Sequence, residues 1–225
     1  MCRLLETIKI QNGEIYNLFY HNNRIIHSRK NLLGLSGIFN INDFIKIKKL
    51  NSASSVLTVN TSALTPLKTS KELAFNVDHD LCYKLRVIYS KDILDADISP
   101  YKIKKISSLK IIKDNNIEYS YKYENREYLN SLFIQRESCD DILIVKNNLI
   151  ADSSFANLIF FDGTNYITPS KPLLNGTKRE KLLQENKIIA SDIKVEDIAS
   201  FQKAFLINAM VDLNEMPLEI KNIYS

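Results

Sequence analysis

From Asp140 to Leu213 the chain carries a succession of short apolar runs, "DDILIVKNN", "LIADSS", "ANLIFFDGTNYITP" and "AFLINAMVDL", separated by Asn-Asn and Asp-Gly pairs. Short β-branched and aromatic runs bounded by such pairs read as strands, because Asn, Asp and Gly adopt the left-handed backbone that tight turns demand. The second half of the chain is therefore expected to be mostly sheet. Helical spacing interrupts it at "YENREYLNSLFIQRE", at "GTKREKLLQEN" and at "VEDIAS".

The first half is mixed in the same way. "LLETIKI" (Leu4–Ile10) reads as a strand, Asn12-Gly13 as a hairpin turn and "YNLFY" as the returning strand. From His21 to Leu35 the apolar spacing is helical, with Gly34 or Gly37 as the stop. "NDFIKIKKL" is expected to be another helix, capped by Asn42 or Asp43. "KLRVIYS" reads as a strand. "YKIKKISSLKIIK" (Tyr101–Lys113) alternates lysine with isoleucine, as a strand with one solvated face does. Strands and helices mix without strict βαβ alternation, so the expected class is α+β. The connection after Ser99-Pro100 marks a boundary near residues 100–106, giving an N-terminal α/β domain over 1–103 and a C-terminal domain over 106–225.

Several function classes are excluded early. The 30 basic and 26 acidic residues are interleaved, whereas a nucleic-acid surface concentrates its charge. Cys2, Cys82 and Cys139 are odd in number and far apart, and His21, His27 and His79 add no ligand spacing, so neither a disulfide framework nor a metal site is expected. No apolar run reaches membrane-spanning length, and "MCRLLETIKIQNG" lacks the apolar centre of a signal peptide. A soluble cytoplasmic protein is the expectation. Phosphate-binding loops rich in glycine and the Gly-x-Ser-x-Gly elbow are absent, and Asp140-Asp141 reads as the approach to a strand.

What is left suits a phosphorylated cofactor bound through lysine. That chemistry needs an amine able to form a Schiff base and a carboxylate to keep a pyridine nitrogen protonated. It also needs backbone N–H groups at a helix start, usually with a cation, for the phosphate. Lys122, Asp152, the Gly176-Thr177 helix start and Arg24 can supply these in turn. Each also has a plainer reading. Lys122 would serve as a surface cation, Asp152 as a turn residue, "NGTKRE" as an ordinary helix start and Arg24 as a solvated helix residue.

In this order, the segments resemble the class IV aminotransferase family, the fold-type IV pyridoxal-phosphate enzymes, over nearly the whole chain. "LETIKIQNGEIYNLFYHNNRI" resembles the family's N-terminal hairpin with its Glu and His-x-x-Arg, filled here by His21 and Arg24. "KYENREYL" resembles the Lys-x-x-Asn-Arg segment of the aminodeoxychorismate lyase branch. "IADSSFANLIFF" resembles the Glu-x-x-x-x-Asn-(Leu/Ile)-Phe signature, with Asp152 and Asn157 at its polar positions. "YITPSKPLLNGTKR" matches the Thr-Pro-…-Leu-x-Gly-(Ile/Thr)-x-Arg segment through Thr168, Pro169, Gly176 and Arg179, and "LINAMVDL" is similar to the last phosphate-side segment.

The resemblance implies two domains, the second mixed and barrel-like, with pyridoxal 5'-phosphate between them. It implies Lys122 as the cofactor-bearing and proton-transferring amine, and Asp152 and Asn157 on the pyridine side. It places the phosphate on Thr177, Lys178, Asn208 and Ala209, with Arg24 as counter-charge. Lys9 and Arg86 are the expected cations for substrate carboxylates. Aspartate replaces the usual glutamate at 152, which shortens that arm by one methylene. The family's Arg-x-x-x-(Phe/Tyr)-Gly-Asp-Gly stretch does not precede the first matched strand in this sequence, and Leu5 stands where D-amino-acid aminotransferases carry tyrosine. The expected reaction is elimination of pyruvate from aminodeoxychorismate, giving 4-aminobenzoate for folate. Transamination to a 2-oxo acid and an inactive relative are the alternatives, and a homodimer is the expected assembly.

Overall fold

The computed structural model describes residues 2–49, 73–78 and 80–225; Leu50 and His79 lie outside the described residues. The chain divides into two compact units, Met1–Lys102 and Ile103–Ser225.

The first unit contains β1 (Leu4–Gln11), β2 (Glu14–Ile15), α1 (Leu18–Leu33), β3 (Ile45–Lys49), β4 (Leu73–Val77), β5 (Cys82–Tyr89) and β6 (Ile93–Pro100). An antiparallel sheet runs in the order β2-β1-β5-β6, and β3 and β4 form a separate parallel pair. Asn12 (φ 54°) and Gly13 (φ 70°) make the two-residue turn that closes Gln11 on Glu14. The returning strand stops at Ile15, and "YNLFY" is not a strand. Asn17 also turns left-handed (φ 54°), and α1 starts at the next residue. Its spacing decides this, since His21, Ile25 and Ser28 recur on one buried face. Gly34 ends α1 with φ 67° and donates its N–H to the Lys30 carbonyl.

"NDFIKIKKL" is likewise not a helix. Asn40 accepts a hydrogen bond from the Asn42 N–H and caps a single 3-10 turn, Ile41–Asp43, before β3 begins. The Ile-Lys-Ile-Lys alternation has the strand period, and pairing to β4 satisfies its backbone.

The second unit contains β7 (Leu109–Lys113), α2 (Glu127–Ile134), β8 (Asp141–Lys146), β9 (Leu149–Ser153), β10 (Asn157–Phe161), β11 (Tyr166–Pro169), α3 (Thr177–Gln184), β12 (Ile189–Ser191), β13 (Lys203–Ile207), β14 (Pro217–Leu218) and β15 (Ile223–Tyr224). The "YKIKKISSLKIIK" strand is shorter than its alternation suggests, since residues 101–108 carry no regular structure and only Leu109–Lys113 pair. Asp140 fastens this approach, its carboxylate accepting the Ser107 N–H at 2.7 Å. Val195–Ser200, the "VEDIAS" segment, is 3-10 rather than α.

A nine-stranded mixed sheet runs β12-β11-β10-β9-β8-β7-β15, with β13 on β10 and β14 on β13. The Asn147-Asn148 turn between β8 and β9 has both residues left-handed, and Gly163 (φ 106°) turns β10 into β11. β10 is a fork. All five of its residues pair with β13, while its other edge meets β9 only at Asn157 and β11 only at Phe160 and Phe161. α2 packs through Leu129 and Leu132 onto Ile142, Ile144 and Ala151. The core around α3 joins Leu182 to Ile159, Phe205 and Ile207. Among the described residues no helix is long and apolar enough to cross a membrane, and no His/Cys/Asp/Glu group suits a metal ion.

Candidate active site

Asp152 and Asn157 meet where β9, β10 and β13 come side by side. In register, Asp152 of β9 faces Asn157 of β10, which faces Ile207 of β13 on its other edge. The Asn208–Val211 turn thus begins one residue beyond that row. Asp152 is buried, and its two oxygens are held separately. Asn157 Nδ2 donates to Oδ1 at 2.7 Å and the Leu174 N–H donates to Oδ2 at 2.9 Å. The second Asn157 amide hydrogen goes to the Leu174 carbonyl at 2.9 Å. Burial pushes the Asp152 carboxyl up to about 6, against the pull of those donors and of the Arg179 charge.

Asn157 also fixes the next element. Its Oδ1 lies so close to Gly176 that a Cβ there would collide with it. Gly176 has extended backbone (φ −69°, ψ 139°), so the demand for glycine is one of space. Immediately after it α3 begins with Thr177, Lys178 and Arg179, all three buried. Arg179 anchors this helix start. Its Nη2 donates to the Pro169 carbonyl at 2.8 Å and its Nε to Thr168 Oγ1 at 3.2 Å, and Thr168 Oγ1 donates to the Leu158 carbonyl at 2.8 Å. Burial lowers the Arg179 pKa, while Asp152 and Glu180 oppose the shift. Lys178 forms an ion pair with Asp212, just past the Asn208 turn. In that turn Asn208 Oδ1 accepts the Met210 and Val211 N–H groups at 2.8 and 3.1 Å, and Ala209 lies between Asn208 and Met210 in sequence.

Lys122 is half-buried in the irregular stretch between β7 and α2. Tyrosines shape this loop. Tyr119 donates its hydroxyl hydrogen to the Tyr123 carbonyl at 2.8 Å, and the Tyr123 ring meets Tyr119 and Tyr121 edge-on. The two residues after Glu124 secure it. Asn125 Oδ1 accepts the Glu127 N–H at 2.8 Å at the start of α2. Arg126 Nη2 donates to the Ser154 carbonyl at 2.6 Å, joining the Lys122 loop to the turn that follows Asp152.

Arg24, Lys9 and Arg86 belong to the first unit. Arg24 grips Glu6 with Nε (2.8 Å) and Nη2 (2.5 Å), and His21 Nδ1 meets the same carboxylate at 2.6 Å. Glu6 is fully buried; burial pushes its pKa up, but Arg24 and His21 prevail and hold it down at about 2. This buried carboxylate orients Arg24, and its function is not visible from composition. The available signal is an acid inside an apolar strand, followed by His-x-x-Arg on one helix face. Lys9 is buried with its ammonium 5.9 Å from the Tyr16 ring centre. Lys9 lies opposite Lys84, and Arg86 opposite Thr7, so both cations fall on the same face of the β1–β5 pair.

The second unit thus sets a buried carboxylate, a glycine-opened helix start and a tethered lysine loop on one mixed sheet. The profile of the family described as "Amino-transferase class IV" matches residues 3–214. A Haemophilus influenzae (strain Rd) protein named "Uncharacterized protein" is 35% identical over 212 residues, covering 93% of this chain and 98% of its own. A crystal structure from Haemophilus somnus 129PT, named "putative 4-amino-4-deoxychorismate lyase", is 31% identical with a TM-score of 0.75, over 95% of this chain and 98% of that one. An aminotransferase from Brucella abortus, crystallised with its cofactor PLP, shares the fold at 16% identity and a TM-score of 0.62, over 96% of this chain and 80% of that one. The chain belongs to the class IV aminotransferase family, and is a pyridoxal-phosphate-dependent enzyme.

Proposed function

We propose that this enzyme eliminates pyruvate from 4-amino-4-deoxychorismate to give 4-aminobenzoate, the aromatic amine of folate synthesis. The similarity to the Haemophilus somnus structure, over nearly all of both chains, carries the choice of reaction. The Lys122-x-x-Asn125-Arg126 segment supports it.

The residues fit the cofactor. Asp152 is buried, and burial opposes its charge more than its donors and the Arg179 charge support it, so a protonated pyridine nitrogen would relieve that cost. When bound, pyridoxal phosphate supplies an electron sink for the pair left behind when a bond at the amino-bearing carbon breaks. Asp152, held by Asn157, would keep a pyridine nitrogen protonated. The Thr177 and Lys178 N–H groups and the Asn208-Ala209 turn would receive the phosphate, with Arg24 as its counter-charge. Lys122 would carry the cofactor and would take the proton from the substrate's amino-bearing carbon. The C–O bond at the neighbouring ring carbon then breaks. Its electron pair leaves with enolpyruvate, which takes up a proton and becomes pyruvate, and loss of the ring proton and the enolpyruvyl group leaves an aromatic ring. Lys9 and Arg86 are assigned to the substrate's carboxylates.

The test is incubation of the cofactor-loaded enzyme with aminodeoxychorismate. Pyruvate and 4-aminobenzoate should appear in equal amounts. Amino transfer to 2-oxoglutarate without pyruvate would replace the lyase reading with a transaminase.

A further inference from the structure

The two segments assigned to the phosphate come from distant parts of the chain, and one side-chain pair connects them. The Lys178 ammonium, on the second residue of α3, pairs with the carboxylate of Asp212, one residue past the Asn208–Val211 turn. The Lys178 side chain is 5% exposed and that of Asp212 43%. A buried ammonium is costly without a counter-ion, so the pair is not an ordinary surface bridge. Each end is set on a well-ordered support. Asn208 and Val211 exchange backbone hydrogen bonds of 3.2 Å, and the Asp212 N–H is received by Glu215 at 2.6 Å. On the other side, Arg179 holds the helix start to β11.

The geometry points to the Lys178–Asp212 pair as a clasp that sets the spacing of the two phosphate-receiving segments. It rests on the cofactor reading above. The Lys178 charge is spent on Asp212, so the clasp fixes where backbone N–H groups stand instead of adding a free cation. Asp212 is a positioning residue. It acts on the phosphate-receiving segments, while Asp152 is held by its own donors, Asn157 and the Leu174 N–H.

Binding of pyridoxal phosphate and of pyridoxal, which lacks the phosphate, separates this role from general support of the fold. Asp212→Asn should weaken pyridoxal phosphate binding about tenfold, the loss of one charged hydrogen bond, and change pyridoxal binding less than about twofold. Asp212→Glu, which keeps the carboxylate, should bind pyridoxal phosphate almost as the parent does. Unchanged or tighter binding of pyridoxal phosphate by Asp212→Asn overturns the clasp, and so does an equal loss for both ligands. If the parent protein takes up no pyridoxal phosphate, the cofactor reading fails, and the clasp fails with it.

Discussion

Asp152 sits in surroundings that oppose its charge. Its pKa in the folded chain is raised from 3.8 to about 6, so the carboxyl binds its proton more tightly folded than unfolded. That stabilisation is fully present below pH 3.8 and is lost as pH rises through about 6, on the order of 3 kcal/mol in all. Cofactor-free enzyme should therefore lose stability across that window in thermal unfolding, and Asp152→Asn should flatten the loss. Glu6 has the opposite sign: its pKa is lowered from 4.5 to about 2, so its contribution is present above 4.5 and vanishes as pH falls towards 2. Lys122→Ala should leave borohydride nothing to reduce onto the protein and slow turnover about a thousandfold, checked by intact mass and pyruvate release. Gly176→Ala should displace Asn157 and weaken cofactor uptake, measured by visible absorbance during titration. The order of the polar residues along the chain singles out Asp152, Asn157 and Gly176, and the structure brings these three into contact. Glu6 was not legible as a hub, because its partners His21 and Arg24 lie 15 and 18 residues away and only folding brings them to it.

At the scale of elements, the Arg126 contact matters most. It holds the Lys122 loop to the turn after Asp152 through one 2.6 Å hydrogen bond from a cation. Its loss is worth about 2 kcal/mol. Arg126→Ala should accordingly lower kcat by up to about thirtyfold while leaving folded secondary structure intact, as steady-state kinetics and circular dichroism would show. Turns with a strict backbone requirement were readable from sequence: Asn12-Gly13, Asn147-Asn148 and Asp162-Gly163 each turn the chain where expected. Elements whose partner is remote were misread. β3 looked helical because Asn42 and Asp43 resemble a cap, and its β4 partner follows only after more than twenty residues. The first turn of α1, Leu18–Tyr20, reads as a strand because its aromatic residues favour strands, and the left-handed Asn17 that redirects the chain has no unique signature.

For the molecule as a whole, the α+β class and the mixed second unit were legible, because alternating short strands and few helices leave little else. The fork at β10 was not, since no local pattern tells a strand how many neighbours it will have. We expect the enzyme to be a homodimer in solution, and light scattering after size exclusion should return twice the chain mass. A single-chain mass would reject that assembly. The fork has a further consequence for how the molecule comes apart. β10 is paired on both edges, its Leu158, Ile159 and Phe160 are wholly buried, and β13 joins it from some forty residues downstream. Its amide hydrogens are shielded by burial and by the strands beside it, so their exchange calls for a large opening of the second unit. In deuterium exchange β10 should therefore label last. Its rate should report the unit's global stability, while the Tyr121–Asn125 loop labels early.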